Sequence, residues 1–266
     1  MQDDGKREKE SKGRKIARII LIIIAVLMII FGGVYFGINM YSQYVGQQDN
    51  EELSSIAEAT TKAEKKVKNP IDFKSLQKKN DEIYAWIKVP DTKIDLPIVQ
   101  STVDDAFYLN HGALDKKWSV NGAIYTESLN STTFEDRVTV LYGHNMNNKS
   151  MFAHLHNFEK KDFFDKHPYY YIYTPDSKLT YQVVSAFKYD DRHILNCFDF
   201  QDKAVFESFL QTIQNPESTS KNVRTDLDTK ITADSSKITI LSTCCGRQRS
   251  NRYLVCGVLV KNEKTN

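Results

Sequence analysis

The reactive side chains of this 266-residue chain include four cysteines and six histidines, and their placement is uneven. Cys244 follows Ile238-Thr239-Ile240-Leu241 directly, where an alternating apolar run gives way to Ser242-Thr243-Cys244-Cys245-Gly246. A residue at the end of a strand points into whatever cleft the nearby loops form. A thiol placed there becomes a nucleophile when a base or a cation lies close to it. His144 is the candidate base, because Val138-Thr139-Val140-Leu141-Tyr142-Gly143 delivers it at the end of another predicted strand. Gly143 is read as the residue whose backbone freedom turns the imidazole into the cleft. Arg252 is the candidate cation. It opens the last apolar run, Arg252-Tyr253-Leu254-Val255, and a guanidinium beside the thiol's strand can donate hydrogen bonds to a developing oxyanion. Arg247 and Arg249 fall in the loop between and read as surface charges.

The remaining reactive residues have blander readings. Cys256, inside Leu254-Val255-Cys256-Gly257-Val258, reads as a small buried hydrophobe, and Cys197 likewise. A disulfide between the adjacent Cys244 and Cys245 would be strained and is not expected. His154 and His156 lie in a predicted helical stretch two residues apart, so they point to different sides and do not form a metal pair. With His111, His167 and His193 they read as structural or surface residues. The chain has no glycine-rich phosphate loop, acidic metal cluster or internal repeat.

The elements that must position Cys244, His144 and Arg252 are mostly strands. Period-two runs cover 86–89, 94–99, 123–126, 137–142, 169–173, 179–184, 237–241 and 253–260. About eight strands with few helices predict a mainly β fold closed into a barrel, which leaves no exposed edge. One helix interrupts the series. Val205, Phe206, Phe209, Leu210 and Ile213 recur at three- and four-residue spacing, with Asp202 as the N-cap and Asn215-Pro216 as the stop. Phe73, Leu76 and Gln77 predict one further short helix, and Asp49 or Asn50 a cap for a helix over Glu51 to Lys66.

Composition narrows the function classes. Thirty-six basic against 34 acidic residues leave a net charge of +2, without the basic excess of a nucleic-acid binder. The N-terminus is the exception to this average. Ile19 to Ile38 is an uncharged apolar run, and at 1.5 Å per residue it spans roughly 30 Å, the thickness of a bilayer core. No small-residue cleavage pattern follows it, and Tyr35 and Tyr41 suit the membrane interface. Seven Lys and Arg residues precede the run, and none follows until Lys62. The positive-inside rule therefore predicts a single-pass membrane protein with a cytoplasmic N-terminus and the rest outside. The expected domains are a basic tail (1–18), a transmembrane helix (19–38), an extracellular spacer (39–69) and a catalytic domain (70–266).

Together these signals resemble a known family. Leu241-Ser242-Thr243-Cys244 with Arg252 eight residues on, and Tyr142-Gly143-His144-Asn145-Met146 followed by Met151-Phe152, resemble the sortases, class B in particular. The resemblance covers roughly residues 71 to 262, including Pro97-Ile98-Val99-Gln100, Tyr108-Leu109, Gly122-Ala123-Ile124 and the helix at 203–214. It implies the sortase β-barrel with added helices and a cysteine transpeptidase of the Gram-positive cell surface. Its substrates would be exported proteins bearing a C-terminal sorting signal, in class B often of the N-P-x-T-x kind. Cys244 would attack the Thr carbonyl to give a thioacyl enzyme, His144 would move the protons, and Arg252 would hold the oxyanion or the substrate backbone. Leu109, Tyr142, Ser242 and Thr243 would line the substrate groove. The acceptor would be an amine of a cell-wall precursor. Pilin polymerisation onto a lysine and simple thiol hydrolysis are the alternatives, with an inactive binding module further off. The chemistry needs no metal or other cofactor. Two departures stand out: Ile240 replaces the usual Thr, and Cys245 occupies a place where some class B members carry an acid.

Overall fold

A computed structural model describes residues 12–58, 69–246 and 248–265 of the chain. The basic residues Lys6, Arg7 and Lys9, residues 59–68 of the expected spacer, and Arg247 lie outside the described residues, as does the Arg249 side chain. The chain divides into two compact units, residues 1–42 and residues 43–266.

Helix α1 (Lys12–Glu58) includes the whole apolar run. Every side chain from Ile19 to Ile38 is exposed, and the helix is long and apolar enough to cross a membrane. Asp49 and Asn50 lie inside this helix and cap nothing, which corrects the helix start read from the sequence. In the second unit, Leu53 and Ala57 on the last turns of α1 are fully buried, so this stretch packs as part of that unit. Helix α2 (Phe73–Lys79) follows, capped by Asp72, whose carboxylate accepts from the Ser75 N–H at 3.2 Å and the Ser75 hydroxyl at 2.7 Å.

Nine strands form one sheet: β1 (Ile83–Lys88), β2 (Asp95–Val99), β3 (Ile124–Tyr125), β4 (Val138–Tyr142), β5 (Tyr169–Thr174), β6 (Ser177–Asp190), β7 (Lys221–Val223), β8 (Ile238–Cys245) and β9 (Gln248–Lys264). Their order is β5-β1-β2-β3-β4-β8-β9-β6-β7, and a further β5–β6 pairing closes eight of them into a barrel. The 14-residue β6 makes this possible. Its first half pairs with β5 from Ser177 to Gln182, and its second half carries the short β7 at Ser185–Phe187. The chain between β4 and β5 contains a 3₁₀ helix (Phe152–Glu159) and α3 (Lys161–Lys166). Between β6 and β7 lie α4 (Ile194–Cys197) and α5 (Lys203–Gln214).

The apolar side chains sort into an interior and two outer layers. Ile87, Ile98, Leu141, Tyr170, Tyr181, Leu241, Tyr253 and Val255 fill the barrel. Helix α5 covers one outer face, packing Phe206, Phe209, Leu210 and Ile213 onto Val140, Ile240, Leu254 and Cys256. Asp202 starts that helix as expected, accepting from the N–H groups of Ala204 and Val205 at 2.7 and 3.3 Å. Phe206 is completely buried there, and truncating it to Ala would cost about 3–5 kcal/mol. The other outer layer joins Leu53, Phe73 and Leu76 to Ile83, Trp86 and Val99.

Candidate active site

Strand direction brings the candidate residues together. β4 and β8 run parallel, and Tyr142 stands beside Ser242. His144 and Cys244 each follow that matched pair by two residues. Parallel strands lie about 4.8 Å apart, so equal steps from a matched pair end close to one another. Two bonds beyond the ladder keep the strand ends together. The Gly143 N–H donates to the Ser242 carbonyl at 3.2 Å, and the Thr243 hydroxyl donates to the Gly143 carbonyl at 2.8 Å.

Gly143 has a different reason for being glycine than the one expected. Its φ is not in the left-handed region. A Cβ there would meet Ile124 Cδ1 at 2.5 Å and the Phe152 ring at 2.7 and 2.8 Å, so the position demands space, not freedom of rotation.

Arg252 lies across the other flank of β8 from His144. β8 and β9 are antiparallel, with Cys244 directly opposite Arg252. Side chains of such a pair leave the sheet on the same face, with Cβ atoms about 5 Å apart. Alternation from buried Ile240 and Leu254 puts that face outside the barrel, beside α4 and α5. On its other flank Arg252 pairs with Tyr189 of β6.

A cavity of about 260 Å³ joins these positions. Cys244, His144, Arg252, Leu109, Tyr142, Ser242 and Thr243 all line it, together with Tyr125, Tyr189, Glu127 and His193. A larger groove, about 1060 Å³, lies between β6 and α5, but neither thiol nor imidazole faces it. The His144 Nε2–H donates to the Leu109 carbonyl at 2.6 Å. That bond orients the ring and leaves Nδ1 as the nitrogen able to exchange a proton with a reactant. Tyr142 stacks on Tyr125 at 5.5 Å, and its buried hydroxyl has no hydrogen-bond partner among the described residues. Burial, reinforced by the Glu127 charge, pushes both phenols up, so they stay neutral.

The two adjacent thiols differ. Burial pushes Cys245 up, which disfavours its thiolate, and its sulfur packs against the barrel interior. Cys244 is partly exposed at the cavity. Cys256 is fully buried and pushed up to about 12 by that burial. Cys197 is exposed, contrary to its reading as a buried hydrophobe.

Sequence reading passed over several groups at this site. His193 accepts from the Asn196 N–H through Nδ1 at 3.2 Å and donates from Nε2 to Glu127 at 2.7 Å, forming one wall of the cavity. Neither residue carries a local signal, because the fold joins them over 66 positions. Asn145 Nδ2 donates to the Cys244 carbonyl at 2.9 Å, and His156 Nε2 lies 3.0 Å from each of them.

The chain is similar to proteins of one family. The sortase domain family matches residues 87–260. Sortase B of Listeria monocytogenes is 28% identical over 254 residues, covering 90% of this chain and 95% of that protein. Sortase B of Staphylococcus aureus is 26% identical over 251 residues, covering 93% and 98%. The crystal structure of sortase B from Bacillus anthracis in complex with AAEK1 superposes with a TM-score of 0.68 at 31% identity, covering 84% of this chain and 99% of that one.

Proposed function

The chain belongs to the sortase family, in class B, and from that premise we propose that it is a transpeptidase in which Cys244 is the nucleophile, His144 the acid–base group and Arg252 the oxyanion donor. The observation that carries this reading is the cross-strand pair of Cys244 and Arg252 opening onto one cavity with His144.

The Cys244 thiol gives its proton to His144 as its sulfur attacks the Thr carbonyl of a sorting signal, and negative charge gathers on the carbonyl oxygen. Arg252, on the same face as the thiol, donates to that oxygen, a contribution of roughly 3 kcal/mol. His144 gives a proton to the leaving amine, and a thioacyl enzyme remains. An incoming amine then loses its proton to His144 and displaces the thiol. Leu109 holds the His144 ring through its backbone, while Tyr142, Ser242 and Thr243 line the groove for the signal. The acceptor is an amine of a cell-wall precursor. A pilin lysine would use the same residues, and water would give hydrolysis.

The same reading makes residues 19–38 a transmembrane anchor, with the basic tail in the cytoplasm and the catalytic part on the outer face of a Gram-positive membrane. Anchoring raises the effective concentration of substrate and precursor, both of which are membrane-held. Mass spectrometry of products from a signal-peptide library, with and without candidate amines, tests the function. Amine-linked product supports transpeptidation, and hydrolysed product alone under every amine would overturn it.

A further inference from the structure

The backbone around the nucleophile loses its ladder where positioning matters most. β8 and β9 are in regular register up to Cys244 and Arg252, and then the register shifts, so that Cys245 stands opposite Gln248. On the other flank of β8, β4 has already ended at Tyr142. The Ser242 carbonyl faces that flank, accepting from the Gly143 N–H, so the Cys244 carbonyl two residues on faces it too, beyond its last ladder partner, and the orientation of this peptide unit sets the backbone from which the thiol projects.

Side chains take over the lost role. The Cys244 carbonyl accepts from Asn145 Nδ2 at 2.9 Å, and His156 Nε2 lies 3.0 Å from that nitrogen and 3.0 Å from the carbonyl oxygen. The His156 proton is on Nδ1, facing Glu159, so Nε2 accepts: Asn145 gives one amide N–H to the Cys244 carbonyl and the other to His156. Because the peptide is planar, fixing the oxygen fixes the whole unit. Both side chains come from informative places. Asn145 follows His144 directly, so its bond ties the candidate base to the candidate nucleophile. His156 is held independently. Its Nδ1 donates to Glu159 Oε1 at 2.6 Å, and its ring stacks on Tyr253 at 5.0 Å. The 3₁₀ geometry of Phe152–Glu159 supplies this contact, since three residues per turn place positions 156 and 159 on one face. Tyr253 is the neighbour of Arg252, so the imidazole touches both strands that carry the site.

We propose that His156, braced by Glu159, is a positioning residue for the reaction: it holds the Asn145 amide on the Cys244 carbonyl past the end of β4 and so keeps the thiol in line with His144 and Arg252. This inference rests on the reading of Cys244 as the nucleophile. His156 touches no reacting atom, so its loss should slow the chemical step and leave substrate binding unchanged.

The test uses the full chain in detergent, a signal peptide and an amine, with steady-state kinetics, acyl-adduct mapping and thermal melting. His156→Phe keeps a ring to stack on Tyr253 and removes the acceptor that holds Asn145. It should lower kcat roughly ten- to a hundredfold, the cost of a small misplacement of a reacting group, at unchanged KM. His156→Gln restores an acceptor for the Asn145 amide and should recover most of that loss. Glu159→Ala changes a half-exposed side chain and leaves the fold intact, so it decides the matter even where His156→Phe does not fold. It should lower kcat roughly two- to fivefold, as expected for loss of a solvent-facing hydrogen bond. Normal kcat in His156→Phe, or in Glu159→Ala where the former is unfolded, would overturn this role. A loss that His156→Gln fails to recover would overturn it too, by assigning the effect to ring packing. Failure of the underlying reading looks different: the wild-type chain would then form no adduct on Cys244.

Discussion

Gly143→Ala is a small change with a large expected effect, because the added methyl has nowhere to go. Its carbon would lie 2.5 Å from Ile124 Cδ1 and 2.7 and 2.8 Å from two Phe152 ring carbons. Carbon atoms in contact prefer about 3.5–4.0 Å, so the overlap is about 1 Å at three atoms. Neither neighbour can yield easily, since Ile124 is 1% and Phe152 0% exposed in the barrel core. Overpacking of this kind costs about 1–3 kcal/mol. For a unit of this size that lowers Tm by roughly 2–4 °C per kcal/mol. If strand β4 moves instead, His144 moves with it, and a displacement of about 1 Å is worth roughly a hundredfold in rate. Calorimetric melting and peptide cleavage, measured on the same preparation, report both. Gly246→Ala is the control: its φ of +50° makes Ala uncomfortable by about 1–2 kcal/mol, but its Cβ would meet nothing within 4 Å. A Gly143→Ala variant that melts and turns over like the wild type would refute the steric argument.

Further outcomes follow from the same geometry. Arg252→Lys should lower kcat roughly a hundredfold with Tm unchanged, because an ammonium lacks the planar fork; normal turnover would remove Arg252 from the oxyanion role. Native-state alkylation followed by peptide mapping should label Cys197 and Cys244 and spare Cys256, whose thiol burial holds near 12; rapid labelling of Cys256 in folded protein would contradict its packing. Burial alone would raise Glu82, but it accepts from the Tyr108 hydroxyl, the Thr102 N–H and hydroxyl, and Lys116, and these bonds hold it down at about 2. Its folded value therefore lies below the ordinary 4.5, so the stabilisation is complete above about pH 4.5 and is lost as pH falls toward 2. Discounting for its solvent-facing partners, Glu82→Gln should remove about 2 kcal/mol at neutral pH and flatten the acid limb of a pH–stability curve. An unchanged acid limb would contradict this.

The strands and α5 were legible because each signal is local. Alternation marked the eight barrel strands, and Asp202 with the Phe206, Phe209 and Ile213 stripe marked α5 to its first and last turns. β7 was not legible: three residues, none of them buried, form a strand only because the second half of β6 leaves a free edge for them. The helix over the last turns of α1 was legible but its docking was not, since Leu53 and Ala57 make a thin stripe whose partners Phe73 and Leu76 come from elsewhere in the chain. At the site, Cys244 and His144 stood out at the ends of strands and Arg252 at the start of an apolar run, although β9 itself begins four residues earlier, at Gln248. The pairing of His193 with Glu127, and the approach of His156 to the Cys244 carbonyl, depend on contacts across 66 and 88 positions. A histidine's local neighbours do not announce such a partner. Gly143 was recognised for the wrong physical reason, because crowding by Ile124 and Phe152 is a tertiary fact.

The central claim is that Cys244, and not its neighbour, carries the acyl group. The most direct measurement incubates the full chain with a Thr-containing sorting-signal peptide, quenches in acid and maps the adduct by tandem mass spectrometry. The account predicts an acyl mass on Cys244, absent in Cys244→Ala, retained in Cys245→Ala, and discharged onto an added amine. An adduct mapped to Cys245, or peptide cleavage that persists in Cys244→Ala, would contradict it.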